Sequence, residues 1–349
     1  MKRIAFHNRE KETKEIMDIL DAEPSLITFV YGPINSGKTT MISHLIEELS
    51  DEYAPFYVNL RGRFITDYED FLNVLFEIDE EGEGSNVTEY VKSALKDLGA
   101  VSGIPIPINL FERIFEKKDK SKDMFKYIEQ FFVEISKTRT PVLIIDELQV
   151  IGDLKIDGLL IYKLFNFFIR LTKEMHLAQV FAITSDSLFI GDVHSEAMLS
   201  GRCRYLLVDD FDKDTTMGFL ENYGFGEEEK EYAWHYCGGK PVCLVELVNA
   251  KVNGKDIGNE AKKLLKIRTS QILSIFDEIA LGKIEYSEKA LIDEFKNFEN
   301  DELVQYDKVN KEKIFLVERN VLFIDPTQRT IKSQSRLDLL AIREVMRDA

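Results

Sequence analysis

The sequence is short of cysteine, histidine, proline and glycine, and each shortage removes a class of protein. Three cysteines (Cys203, Cys237, Cys243) form no CxxC pair and the five histidines are dispersed, so no zinc spacing is present. The cysteines read as small buried or half-buried thiols. Eight prolines and 19 glycines in 349 residues, with 44% hydrophobic and 31% charged residues, exclude a fibrous or largely disordered chain. A long apolar run is also missing. The most apolar stretch, 159–171, is broken by Lys163, Asn166 and Arg170, far short of the roughly 20 residues a membrane span needs. The N-terminus, MKRIAFHNREKETKE, lacks the apolar core of a secretory signal, so the expected compartment is the cytoplasm. Positive charge is scarce as well: the net charge is −17, and the first 250 residues hold 27 Lys and Arg against 44 Asp and Glu. That acidity argues against nonspecific coating of nucleic acid by this part, because phosphate contacts need clustered cations. The remaining 99 residues are balanced, 18 against 18.

What is there is the material for two or three domains. Short apolar runs alternate with longer amphipathic stretches, the pattern of parallel strands joined by crossover helices. Strands are expected at 26–31, 55–60, 142–145, 179–184 and 205–208, the first apolar almost throughout, as a strand covered on both faces should be. About 80 residues separate the second from the third, too many for one crossover, so a mostly helical insertion is expected at about 62–140. The core is thus 1–209. Helical periodicity then sets in at 215–223, 227–236 and from 242, interrupted by GGKP at 238–241, predicting a helical lid over 210–261. From 262 to 349, helices near 265–280, 287–297 and 309–319 precede VLFIDPTQRTIKS, two extended arms around a proline-containing turn, with a closing helix at about 336–346. This predicts a winged-helix-like unit.

The strongest motif is GPINSGKTT at 32–40, a full G-x-x-x-x-G-K-[ST] match between a predicted strand and an amphipathic helix at 41–49. A glycine-containing loop can curl so that successive backbone N–H groups face phosphates, and the following helix adds its positive end. The candidate nucleotide contacts are Gly32, Pro33, Asn35, Ser36, Gly37, Lys38, Thr39 and Thr40. Lys38 is placed to meet the β and γ phosphates and Thr39 to give its hydroxyl to Mg²⁺, while Gly32 and Gly37 supply backbone freedom.

The second element is PVLIIDELQV, an apolar strand ending in Asp146 and Glu147. There Asp146 can hold Mg²⁺ through water and Glu147 can polarise an attacking water, an adjacency that favours hydrolysis. At the end of the fourth strand, FAITSDS brings Thr184, Ser185 and Asp186 to the same edge, to sense a γ phosphate or to cap a helix. Arg202 and Arg204, before the fifth strand, are candidates for an arginine finger reaching a neighbouring subunit or for surface ion pairs.

With GPINSGKTT, IIDELQ, FHNREKE at 6–12, SGRCRYL at 200–206 and GGKPVCL at 238–244, the sequence resembles the archaeal ATPase family. That family belongs to the STAND class of P-loop ATPases, related to AAA+ proteins and more distantly to Orc/Cdc6 replication initiators. The resemblance covers about residues 1–250 and continues more loosely into the tail. It implies an α/β P-loop core with a five-stranded parallel sheet of order 5-1-4-3-2. It also implies Asn8 and Arg9 near the adenine, Arg202 as the arginine after the sensor strand, and GGKP as a lid motif close to the nucleotide. Pro241 stands where many AAA+ proteins have a sensor arginine, preceded here by Lys240.

The leading expectation is an ATP-driven switch that uses ATP and Mg²⁺, with the tail engaging a protein partner and the chain acting as a monomer or a nucleotide-dependent homo-oligomer. The alternative is a DNA-associated ATPase whose helix 287–297 enters the major groove of duplex DNA. SEKALIDEFKN has two basic and three acidic residues, poor for phosphate contact, but Arg329, Lys332, Arg336, Arg343 and Arg347 offer a modest basic strip. A small-molecule kinase shares the phosphate loop, yet seldom needs an acid pair so deep in the chain or a separate C-terminal module.

Overall fold

The computed structural model describes residues 6–7, 9–82, 86–94, 101–115, 120–152 and 160–348. In chain order the strands are β1 (Ile27–Tyr31), β2 (Tyr53–Asn59), β3 (Phe76–Asp79), β4 (Val101–Ser102), β5 (Ile104–Pro107), β6 (Thr140–Asp146), β7 (Gln179–Thr184), β8 (Cys203–Leu207), β9 (Leu303–Gln305), β10 (Leu322–Asp325) and β11 (Thr330–Ser333). The main sheet has the order β4-β2-β6-β7-β1-β8 and is parallel throughout. The five expected strands therefore stand in the order 5-1-4-3-2. One correction is needed: the two-residue β4 adds a sixth strand beside β2, pairing Phe56 with Val101.

Side chains alternate across the sheet with the period of two that strands impose. Phe29, Leu143, Ile145, Val180 and Ala182 point into one core, shared with Phe131, Phe132, Phe165 and Phe168 of the helices Lys120–Ile135 and Leu160–Ile169. Val30, Val142, Ile144, Phe181 and Ile183 point into the other, against Ile16 and Ile19 of Glu10–Leu20 and Met41, Ile42 and Leu45 of Lys38–Glu48. The described part of the insertion holds four helices, Tyr68–Leu75, Val87–Ala94, Ile108–Phe115 and Lys120–Ile135, but it is not helical throughout. A second, two-stranded parallel sheet pairs β3 with β5.

After β8 come the helices Lys213–Asn222, Glu227–Cys237 and Pro241–Val252, packed around Phe219, Leu220, Leu244 and Leu247. Pro241 sits at the first helical position, where its missing N–H costs nothing. The next helix, Ile257–Ala280, starts well before its expected beginning because the Asp256 carboxylate caps it, accepting from the Asn259 N–H at 2.8 Å. Helices Glu288–Lys296 and Lys311–Glu318, the antiparallel sheet β10-β11-β9 and the closing helix Arg336–Asp348 complete the tail. The helix immediately before the hairpin is Lys311–Glu318, close to the expected 309–319, and it packs on Ser187–Ser195 of the core. No described helix is long and apolar enough to cross a membrane. Cys237 is buried and Cys203 and Cys243 are half-buried, as free thiols.

Candidate functional site

Because the sheet is parallel, the carboxyl ends of β1, β2, β6 and β7 meet at one edge, and the expected chemistry gathers there. β1 runs directly into the loop Gly32–Gly37. A Cβ at Gly32 would lie 2.1 Å from the Val208 carbonyl oxygen, so only glycine permits this approach. Gly37 has φ of 94°, a left-handed turn that opens the helix Lys38–Glu48, whose N-terminal end faces the loop's interior. Lys38 is buried, and its Nζ donates to the carbonyls of Gly32 and Pro33, both at 2.9 Å. Burial, with the Lys240 charge nearby, lowers its pKa to about 7. Ser36 is buried, whereas Asn35 and Thr40 are exposed at the loop's rim.

Thr39 Oγ1 donates to Asp146 Oδ2 at 2.8 Å, and Tyr57 from β2 donates to the same oxygen at 2.8 Å. Asp146 Oδ1 accepts the Glu147 backbone N–H at 3.0 Å. Burial pushes the Asp146 carboxyl above the usual carboxylate range, with these hydrogen bonds opposing the shift. A hydroxyl touching a buried carboxylate is a hard-oxygen pair suited to a magnesium ion, and a cation would offset that burial.

Glu147 has φ of 60°, the left-handed region. A glutamate is held there at a cost of about 1–3 kcal/mol. One carboxylate oxygen is paired with Arg61 from the loop after β2, and the other accepts Gln149 Nε2 at 2.5 Å. The Glu147 side chain is 8% exposed and that of Arg61 59%, so the pair joins a buried acid to a cation anchored in solvent. Thr184 donates to Gln149 Oε1 at 2.7 Å, while Asp186 is spent as a helix cap, accepting from the N–H groups of Leu188 and Phe189.

The flanking candidates divide. Arg9 is buried, its guanidinium 4.6 Å over the Phe211 ring and 2.5 Å from the Ser36 carbonyl oxygen, which places it on the phosphate loop itself. Asn8 lies outside the described residues. Pro241 starts its helix, and the side chain that reaches the loop is its neighbour: Lys240 Nζ donates to the Ile34 carbonyl at 3.0 Å and pairs with Asp210 at 2.9 Å. Arg202 is not brought to the site. It precedes β8, at the opposite edge of the sheet, one strand length or about 16 Å from the loop side, and it donates to the Met198 carbonyl at 2.8 Å.

The tail also comes to the loop. Gln334 Oε1 accepts the Ile34 N–H at 3.2 Å, Tyr31 donates to Asp325 at 2.9 Å, and Lys332 pairs with Asp209. A cleft of about 760 Å³ opens between core and tail, with Glu147, Gln149, Asp186 and Gln334 among its walls.

A family description, "ATPase domain predominantly from Archaea", matches residues 6–247. The chain belongs to the archaeal ATPase family. Residues 258–346 of this archaeal ATPase match the C-terminal domain of MJ1010-like ATP-binding proteins. It is 45% identical to the uncharacterized ATP-binding protein MJ1659 of Methanocaldococcus jannaschii, over 98% of this chain and 97% of that protein. It is 46% identical to the uncharacterized ATP-binding protein PYRAB09480 of Pyrococcus abyssi, over 98% of each. Among solved structures, the ORC2 protein of Aeropyrum pernix in its ADPNP-ADP complexes aligns over 100% of this chain and 98% of that one, at 12% identity and a TM-score of 0.49. Within this archaeal ATPase, Arg61, Gln149 and Gln334 carry site contacts that sequence reading did not single out. Only the polar run DELQ pointed toward one of them.

Proposed function

We propose that the chain binds ATP, hydrolyses it with Glu147 as the base, and uses the cycle as a switch read by its tail. The observation that supports this reading is the register at the sheet edge: Thr39, next to the buried Lys38 of the loop, bonds Asp146, and Glu147 follows directly with its N–H on the same carboxylate. Lys38 meets the β and γ phosphates by leaving the carbonyls of Gly32 and Pro33. Magnesium, held by Thr39 and Asp146, would neutralise charge between those phosphates. Glu147 accepts the proton of the attacking water once Arg61 moves aside.

The switch follows from what holds Ile34. Its N–H is bound by Gln334 of the tail and its carbonyl by Lys240 of the lid, so one residue of the phosphate loop joins three parts of the chain. A ligand biases two arrangements only through contacts that differ between them. Phosphate that draws Lys38 off the adjacent carbonyls changes the loop at this junction. In Glu147→Gln, amide hydrogen exchange across the hairpin 322–333 is expected to differ between ATP-bound and ADP-bound protein. Identical exchange in both would overturn the switch.

A protein partner is favoured over duplex DNA for the tail. Of the basic strip, Lys332 pairs with Asp209 and Arg336 with Glu302, while Arg343 donates to the Phe298 carbonyl and Arg329 to that of Asp307. Arg202, facing away from its own site, serves a neighbouring copy. Arg202→Ala is then expected to lose on the order of 10³-fold in turnover, and wild-type specific activity to rise with protein concentration; a concentration-independent rate unchanged by the substitution would exclude this role.

A further inference from the structure

Gln149 belongs to neither the phosphate loop nor the acid pair, yet it joins Glu147 to the end of a different strand. It lies in the short turn Leu148–Ile151 directly after Glu147, half-buried. Three hydrogen bonds run in series: the Asp186 backbone N–H donates to Thr184 Oγ1 at 3.0 Å, Thr184 donates to Gln149 Oε1 at 2.7 Å, and Gln149 Nε2 donates to Glu147 Oε2 at 2.5 Å. Chemistry fixes the direction of the chain. A carboxylate only accepts, so the amide must turn its NH₂ toward Glu147, and its carbonyl is left to take the single proton of Thr184.

We infer that Gln149 is a positioning residue for hydrolysis, fixing the Glu147 carboxylate from within the fold and tying it to β7 through Thr184. A general base acts only when its lone pair lies within hydrogen-bond reach of the water's proton, and a glutamate side chain has three torsions to restrain. Arg61 holds the other oxygen from a largely exposed side chain, whereas Thr184 is 1% exposed and anchored in the sheet. Gln149 is therefore the restraint that persists when Arg61 leaves. The end of β7 acts on Glu147 through Gln149, since its hydroxyl proton is already committed there.

This rests on Glu147 being the base, and the test separates the two. On the full chain, Gln149→Ala is expected to lower kcat about ten- to a hundred-fold while KM for ATP stays within about two-fold, because Gln149 touches neither Lys38 nor the phosphate loop. Thr184→Val, which removes the proton that orients the amide, is expected to lose a comparable factor, and Thr184→Ser, which keeps it, to recover most of the rate. In the Glu147→Gln background, Gln149→Ala is expected to remove nothing further from the single-turnover rate. Wild-type kcat in Gln149→Ala, a loss carried in KM, a Thr184→Ser as slow as Thr184→Val, or an undiminished effect without Glu147 would each overturn the relay. Wild-type turnover by Glu147→Gln alone would instead remove the base beneath it.

Discussion

Glu147→Gln is expected to bind ATP with near wild-type affinity and to hydrolyse it at least about a hundred-fold more slowly. The substitution keeps the shape of the side chain but removes the basic oxygen that takes up the water's proton. Binding is retained because the groups that meet the phosphates, Lys38 and the loop N–H donors, belong to another segment. Arg61 loses its ionic partner at the same time. Titration with a fluorescent ATP analogue and single-turnover hydrolysis measure the two quantities separately. Normal hydrolysis would move the base elsewhere; lost binding would mean that Glu147 holds the site together rather than acting on water.

Lys38→Ala is expected to abolish nucleotide binding in practice. Its ammonium is buried and its hydrogen bonds among the described residues go to uncharged groups, the carbonyls of Gly32 and Pro33 and the Ser36 hydroxyl. Meeting a polyphosphate in such surroundings is the contact of a desolvated charge pair, whose truncation costs about 2–5 kcal/mol, roughly 30- to 5000-fold in affinity. Burial disfavours the charged form of this side chain, lowering its pKa to about 7, so the nucleotide-free fold draws no stability from the charge. Melting without nucleotide should therefore stay close to wild type while the shift produced by added ATP disappears. A retained ATP shift would contradict the assignment of the phosphate loop.

The parts legible in the sequence are those coded by local spacing. Gly32 to Thr40 and the pair Asp146 and Glu147 each lie within one turn of chain beside an apolar strand, and the structure joins them through Thr39 and Asp146. Strand β8 was harder to delimit because Arg204 interrupts its apolar pattern although it lies half-buried between Cys203 and Tyr205. Strand β5, IPIP, falls inside the insertion expected to be mostly helical, yet it pairs with β3 in a two-stranded parallel sheet, where the ladder hydrogen bonds that proline cannot donate are dispensable. Long-range partners carry no such signal. Arg61 meets Glu147 across 86 positions, Gln334 meets Ile34 across 300, and Tyr31 meets Asp325 across 294. The basic strip shows why composition alone misleads: its charges are visible, but the carboxylates and carbonyls that occupy Arg329, Lys332, Arg336 and Arg343 lie elsewhere in the chain.

The measurement that tests the account most directly is steady-state phosphate release from ATP by the wild type beside Glu147→Gln, at two protein concentrations and with and without duplex DNA at fixed salt. The account predicts turnover by the wild type, its loss in Glu147→Gln at equal nucleotide occupancy, and no response to DNA. Equal rates in the two proteins would contradict the hydrolytic site, and strong stimulation by DNA would contradict a tail committed to a protein partner.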